Sequence, residues 1–202
     1  MNLSQPSNRV LFSAGAMHAC ELAESDIPAL QGFLAANPEY FIAVNGMPPR
    51  EDEAEQEFHE QPPPGMRFEK KYLIGFADNS GRLAGMASVL SNFLAERVWH
   101  IGLFIVATSL HGTGAASAWY LGLEDWMRRS GAQWIRLGVV AGNARAERFW
   151  EQVGYAQVRT RTGVQTGNLT STIRVLVKCL GDGSVAEYLQ LVERDRPDSM
   201  LH

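Results

Sequence analysis

Residues His111 to Ala116 read HGTGAA, and two glycines among small residues at this spacing suit one task above others, the holding of phosphate. The stretch follows the apolar run Ile101 to Val106 and precedes the helix-like run Ala115 to Arg129, so it reads as a junction from strand to helix. The first turn of a helix has backbone N–H groups without intrahelical acceptors, and its dipole adds partial positive charge. A pyrophosphate therefore needs no cationic side chain there. Gly112 and Gly114 let the backbone come close to it. Three ligands compete: a nucleotide in a P-loop, a dinucleotide and coenzyme A. No Lys-Ser/Thr pair follows the glycines, which sets the P-loop aside. GTGAAS at 112–117 meets the dinucleotide pattern only if Ser117 is accepted in its last place. The next strand ends Val139-Val140-Ala141-Gly142, with no carboxylate for a ribose.

The third ligand gains support downstream, where Asn143-Ala144-Arg145-Ala146-Glu147-Arg148-Phe149-Trp150-Glu151-Gln152-Val153-Gly154-Tyr155 follows the strand-like run Trp134 to Val140. With the glycine loop, this resembles the GNAT family of N-acetyltransferases. That family's phosphate loop is matched by His111, Gly114 and Ala116, with His where Gln or Arg is usual. Its later motif is matched by Asn143, Ala146, Phe149, Gly154 and Tyr155, with Trp150 in the place of a Tyr. The two motifs stand in the family's order and spacing, and the likeness spans about residues 70 to 180. It implies the acyl-CoA N-acyltransferase fold, an α/β (α+β) architecture of a mixed, mostly antiparallel sheet with helices on both faces. Strands alternating with helices before a final hairpin argue for the same class. It also implies acetyl-CoA as acyl donor, held by His111, Gly112, Thr113, Gly114, Ala115 and Ala116 at the phosphates and by Asn143, Ala146 and Trp150 along the arm. Backbone N–H groups around Phe104, Ile105 and Val106 would hold the thioester carbonyl.

Acetyl transfer from a thioester to an amine needs a neutral amine, stabilisation of the oxyanion and a proton for the departing thiolate. Relatives often place a carboxylate base near the start of the strand before the loop, and Glu96 and His100 are the polar residues there. Four apart, they share one face of an extended strand, opposite Trp99, Ile101 and Leu103. His100 titrates near neutrality if unperturbed. The bland alternative makes Glu96 a turn residue and His100 a half-exposed strand residue. Trp150 departs from the pattern, because an indole N–H donates a hydrogen bond but no proton. Tyr155 reads as core, Asn143 also as a helix cap, His111 also as a solvated loop residue, and Arg145 and Arg148 as an outer helix face or contacts to a 3′-phosphate.

The expected function is direct acetyl transfer in a ternary complex to a primary amine, on a small molecule or a peptide. The rival is a catalytically weak or inactive acyl-CoA-binding sensor. Acceptor specificity is expected from 37–66 and the last hairpin. There, Glu51, Asp52, Glu53, Glu55 and Glu57 form either a lure for a cationic amine or a solvated face.

The elements that must position these residues fit one domain at 1–180, with 181–202 as an appendage carrying a short helix, in a chain of 202 residues. That appendage docks through Tyr188, Leu189 and Val192 on the body or on a second copy in a homodimer, or else frays. A net charge of -4 gives no basic field for nucleic acid. Cys20 and Cys179 lack metal-ligand or disulfide spacing, so no metal is expected and a reducing cytoplasm fits. No stretch is long enough to span a membrane, and one basic residue, Arg9, before VLFSAGAM reads as an untethered N-terminus and not as a leader. The first strand is expected at Met17 to Leu22, a helix capped by Ser25, an irregular stretch near Tyr40, and a solvated helix within Glu51 to Glu60. A hairpin at 72–93, a strand at 98–107, helices from Thr113 and Asn143, and paired strands at 155–165 and 172–180 complete the outline.

Overall fold

In the computed structural model the described residues are 2–4 and 10–201; Arg9 lies outside them. Val10–Ala14 is no free arm. It forms β1 and turns at Gly15 onto β2 (Met17–Glu21). Phe12 anchors it, buried against Phe76 and Trp126.

The other strands are β3 (Lys70–Ala77), β4 (Leu83–Ser91), β5 (Val98–Val106), β6 (Trp134–Val140), β7 (Ala156–Thr166) and β8 (Leu169–Cys179). They form one eight-stranded sheet in the order β1-β2-β3-β4-β5-β6-β8-β7, and only β5 and β6 pair in parallel. Alternation along the strands feeds two cores. Ile74 and Ala87 face α4 (Ala115–Arg129) and α5 (Ala144–Gln152), whereas Leu73 and Met86 face α1 (Ile27–Ala36), α2 (Glu39–Asn45) and α3 (Glu53–His59). α4 buries Trp119, Leu123 and Trp126 at helical spacing and ends before Gly131, whose φ of 102° is the left-handed conformation that stops it.

Three local expectations are corrected. α1 begins after a 3₁₀ turn at Glu24–Asp26, so Asp26, not Ser25, precedes it, and the Asp26 carboxylate is used by the N–H groups of Ser4 and Ala23. The irregular stretch near Tyr40 is α2, a short helix bounded by Pro38 and by Gly46 at φ 73°. α3 is only partly solvated. It buries Ala54, and Glu57 turns inward to Lys71.

β5 carries a bulge. Its pairing with β4 slips between Ser88↔Leu103 and Val89↔Ile101, which leaves Gly102 as the extra residue. Trp99 and Ile101 then share the α4/α5 face with Phe104 and Val106, whereas Leu103 and Ile105 turn to α1–α3. The single buried face expected for Ile101, Leu103 and Ile105 is thus split by one inserted residue.

α6 (Val185–Leu191) is capped by Ser184 and Glu187 in a reciprocal box. Tyr188 and Val192 are buried with Val98, Trp134 and Val177, so the appendage docks on this chain's own body. Among the described residues no helix is long and apolar enough to cross a membrane.

Candidate active site

β5 and β6 pair only from Val98↔Trp134 to Ile101↔Leu137, and beyond that point they diverge. A cleft of about 650 Å³ opens there, lined by Phe104 to Val106, the loop 108–114, the start of α4 and one side of α5. Gly112 and Gly114 have φ of 79° and 87°, and a Cβ on either would meet no protein atom within 4 Å. Backbone conformation, not packing, therefore demands glycine, and the loop stays open. Gly114 caps α4, and the first return bond of the helix runs from the Ala118 N–H to the Gly114 carbonyl, 3.1 Å. The N–H groups of Ala116 and Ser117 precede that bond, so they are free to hold an anion.

The strand wall supplies further donors. The Ala107 N–H bonds back to Ala84 on β4 at 2.8 Å, so alternation turns Ile105 the same way and Phe104 and Val106 toward the gap. The Val106 carbonyl agrees with this direction, since it accepts from His111 Nε2 at 3.1 Å. His111 Nδ1 accepts from Arg145. Both ring nitrogens are thereby engaged, and His111 ties the end of β5 to the start of α5. On the far rim Thr108 donates to Glu39 at 2.5 Å, and this bond, with a backbone hydrogen bond and the charge of Arg145, holds the Glu39 carboxyl below its usual range. Asn37 accepts from the Thr108 N–H at 2.8 Å, fixing α1 to the same loop.

Asn143 caps α5 by accepting from the Ala146 N–H at 3.2 Å, which leaves its amide N–H₂ toward the cleft that it lines. Trp150 is 7% exposed and meets Phe104, Tyr120, Phe149 and Tyr155 edge-on. Tyr155 is buried, its hydroxyl hydrogen-bonded with that of Tyr120, so it belongs to the core.

A second cavity of about 390 Å³ shares Tyr40, Phe104, Asn143, Ala146 and Trp150 with the first and reaches away past His100, Arg136 and Arg161. His100 stacks on Phe93 at 4.7 Å. Its Nδ1 lies 3.1 Å from the Arg136 carbonyl and 3.4 Å from Arg136 Nη1. The carbonyl can only accept, and it is the nearer, so Nδ1 carries the proton and Nε2 keeps a lone pair. Burial and then the Arg136 charge push the His100 imidazole down to about 3. Behind it Asp195, fully buried, receives Arg136, Arg161 and Tyr188.

The sequence profile of the acetyltransferase (GNAT) family matches residues 31–155. The chain belongs to that family. Among solved structures, a GCN5-related N-acetyltransferase from Kribbella flavida is similar over 83% of this chain and 100% of its own, at 20% identity and a TM-score of 0.60. The ribosomal-protein-S18-alanine N-acetyltransferase from Escherichia coli shares 16% identity over 83% and 96% of the two chains, TM-score 0.60. A spermidine N-acetyltransferase from Vibrio cholerae, solved with CoA and spermine, shares 15% over 81% and 95%, TM-score 0.63. No curated protein matches the sequence. The GNAT fold class read from the motifs is therefore observed, with its mixed, mostly antiparallel sheet and helices on both faces.

Within this GNAT fold, the sequence-chosen residues fall into two groups. His111, Gly112, Gly114, Ala116, Asn143, Ala146, Trp150 and Phe104 to Val106 line the first cleft, with Thr113 in the same loop and Ala115 at the start of α4; His100 lines the second cavity. Glu96 is not brought to either. β5 starts at Val98, and Glu96 lies exposed in a turn between Leu94 and Arg97, both at positive φ, so the shared strand face expected for Glu96 and His100 does not exist. The acidic run also stays outside, with Glu53 on Arg50 and Glu57 on Lys71. Sequence reasoning misses Tyr40, Arg136 and Arg161. Arg136 has a signal, as a lone charge inside the apolar strand Trp134–Val140.

Proposed function

We propose that the protein is an acetyl-CoA-dependent N-acetyltransferase that moves an acetyl group directly to a primary amine in a ternary complex. What supports this reading most is the meeting of two cavities where β5 and β6 part, one with a glycine loop at a helix start and one with polar walls. The residues fit the donor: open glycines and free first-turn N–H groups for a pyrophosphate, and the Asn143 amide for the amides of the arm. The donor supplies an acetyl thioester. The N–H groups of Phe104 and Val106 would hold its carbonyl oxygen as negative charge develops there. Phe104 and Trp150 would exclude water from the junction. His100 Nε2 would accept a hydrogen bond from the incoming amine and orient it, the ammonium proton having left to water, since an imidazole held at about 3 retains no proton at neutral pH. Trp150 gives no proton, and a thiolate near its usual range of about 8.5 leaves without one. Cys20 and Cys179 line neither cavity, so the transfer is written without an acyl-cysteine, and the cytoplasm is the compartment proposed for it.

The test is titration calorimetry with acetyl-CoA, followed by thiol release with a panel of amines. Binding and amine-dependent release support the reading. Binding without release from any amine would leave a sensor of acyl-CoA, and absence of binding by the folded protein would remove the donor.

A further inference from the structure

The smaller cavity has an imbalance of charge that acetyl transfer to a plain amine does not explain. Arg136 and Arg161 line it and no acidic side chain does. Four guanidinium groups gather at this end of the molecule, those of Arg136, Arg159, Arg161 and Arg194, and among the described residues Asp195 is the carboxylate that bonds two of them, Arg136 and Arg161. Asp195 is already saturated. Oδ1 accepts from Arg136 Nη2 at 3.2 Å and Arg161 Nη2 at 3.0 Å, and Oδ2 accepts from Arg136 Nε at 2.7 Å and the Tyr188 hydroxyl. Arg159 is satisfied by backbone carbonyls of Arg194, Ser199 and Leu201. Arg161 Nε and Arg194 Nε and Nη2 are buried without any hydrogen-bond partner. A buried guanidinium donor without an acceptor is costly, and natural structures leave few of them. Arg161 reaches the cavity from β7, on the side away from the glycine loop.

We infer that this cavity binds an acceptor carrying a carboxylate as well as an amine, with the carboxylate held by Arg161 and Arg136 and the amine at the junction near His100. The inference rests on the acetyltransferase reading and names its substrate class, an amino acid or a similar carboxylated amine. A carboxylate meets the charge of the two guanidinium groups that line the cavity without an acidic neighbour there, and it brings the cluster nearer neutrality. In the reaction the amine nitrogen bonds to the acetyl carbon, the carbon–sulfur bond breaks, and the amine proton leaves to water while the thiolate departs. The carboxylate takes no part in these bonds. It sets which amines reach them.

The experiment compares each of a set of L-amino acids with its own carboxamide, using thiol release from acetyl-CoA. The expected result is a kcat/KM at least about a hundredfold higher for the acids, because a site built around a charged group rejects the analogue without it. Arg161→Gln should raise KM for the acids about tenfold or more and leave acetyl-CoA affinity by calorimetry unchanged. Should that variant misfold by circular dichroism, Arg161→Lys, which keeps the charge and loses the fork, carries the same comparison. Equal rates for acids and amides, or a preference for amides, would overturn the inference while the acetyltransferase reading stood. An independent arm needs no donor. N-acetyl amino acids titrated without acetyl-CoA should bind more tightly than their amides, and organophosphonate analogues of the same length show whether another anion does as well. Failure of acetyl-CoA to bind, with this preference intact, would sink the function and keep the anion site. Equal binding of acid and amide would sink the site.

Discussion

The first cleft, proposed for the donor, is walled by one stretch, 104–117, and by 143–152 opposite. The second cavity, proposed for the acceptor, draws on Tyr40, His100, Arg136 and Arg161, with Asp195 behind them. The first is made of backbone N–H groups, glycine conformations and a helix start, which depend on few side chains. The second is made of buried charges that meet only after β7, β8 and the appendage have packed. The donor side should therefore be sensitive to backbone and insensitive to distant mutation, and the acceptor side the reverse.

Asp195→Asn tests this most severely. It leaves the shape and the Tyr188 contact but removes the carboxylate on which two guanidinium groups close. Breaking a buried ion pair on one side costs about 3–5 kcal/mol, to be read from the denaturant midpoint. The same variant, where folded, should keep acetyl-CoA affinity, because no Asp195 contact touches the glycine loop. Loss of both together would show that the two halves are not separable.

Gly114→Glu is the converse. At φ 87° any side chain is strained, and a carboxylate there opposes an incoming phosphate. Acetyl-CoA affinity should fall at least about a hundredfold, or about 2.7 kcal/mol, by calorimetry, with the acceptor-side binding of N-acetyl amino acids unchanged. Retained affinity would mean that the loop is a structural turn.

The same contrast separates what residue order reveals from what it conceals. Loop, strand and helix around Gly114 and the cap at Asn143 are local, so residue type and spacing report them directly. The bulge at Gly102 is one residue of slip decided by pairing with β4, and its one local sign at 98–106 is the lone glycine in a largely apolar strand. α2 is hidden because Pro38 reads as a breaker when it is in fact the residue before a helix start. Arg161 stands in a polar edge strand where an arginine is unremarkable, and only the appendage, 34 residues further on in the case of Asp195, turns it into a buried charge. β1 escapes notice for a similar reason, because its partner faces on Phe76 and Trp126 are far away in sequence.

Acid titration sharpens the same comparison at smaller energy. His100 is held at about 3 by burial and by Arg136, against about 6.5 unfolded. Its folded value is depressed, so the unfolded chain binds the extra proton and stability falls as pH falls below about 6.5. Between pH 7 and pH 5 this group removes about 2 kcal/mol. The groups facing it, Arg136, Phe93 and, through Arg136, Asp195, do not titrate in that window. His100→Gln should flatten the denaturant midpoint between pH 7 and 5 relative to the parent. An unchanged slope would place the titrating group elsewhere.

Asn143 stands where both cavities meet, and its two roles can be parted. Its Oδ1 caps α5, and loss of that bond in Asn143→Ala costs about 1 kcal/mol of stability. Asn143→Asp keeps an accepting oxygen at the cap and loses the amide N–H₂. If the amide serves only the helix, the Asp variant should regain both stability and acetyl-CoA affinity. If it also holds the donor's arm, stability should return while affinity stays low, since a carboxylate has no N–H to offer and repels the phosphates nearby. The second outcome is expected, because the cap uses only one end of the side chain and the other end lines the cleft. The residue would then be structural toward its own helix and functional toward the junction, with the division falling between two atoms of one amide.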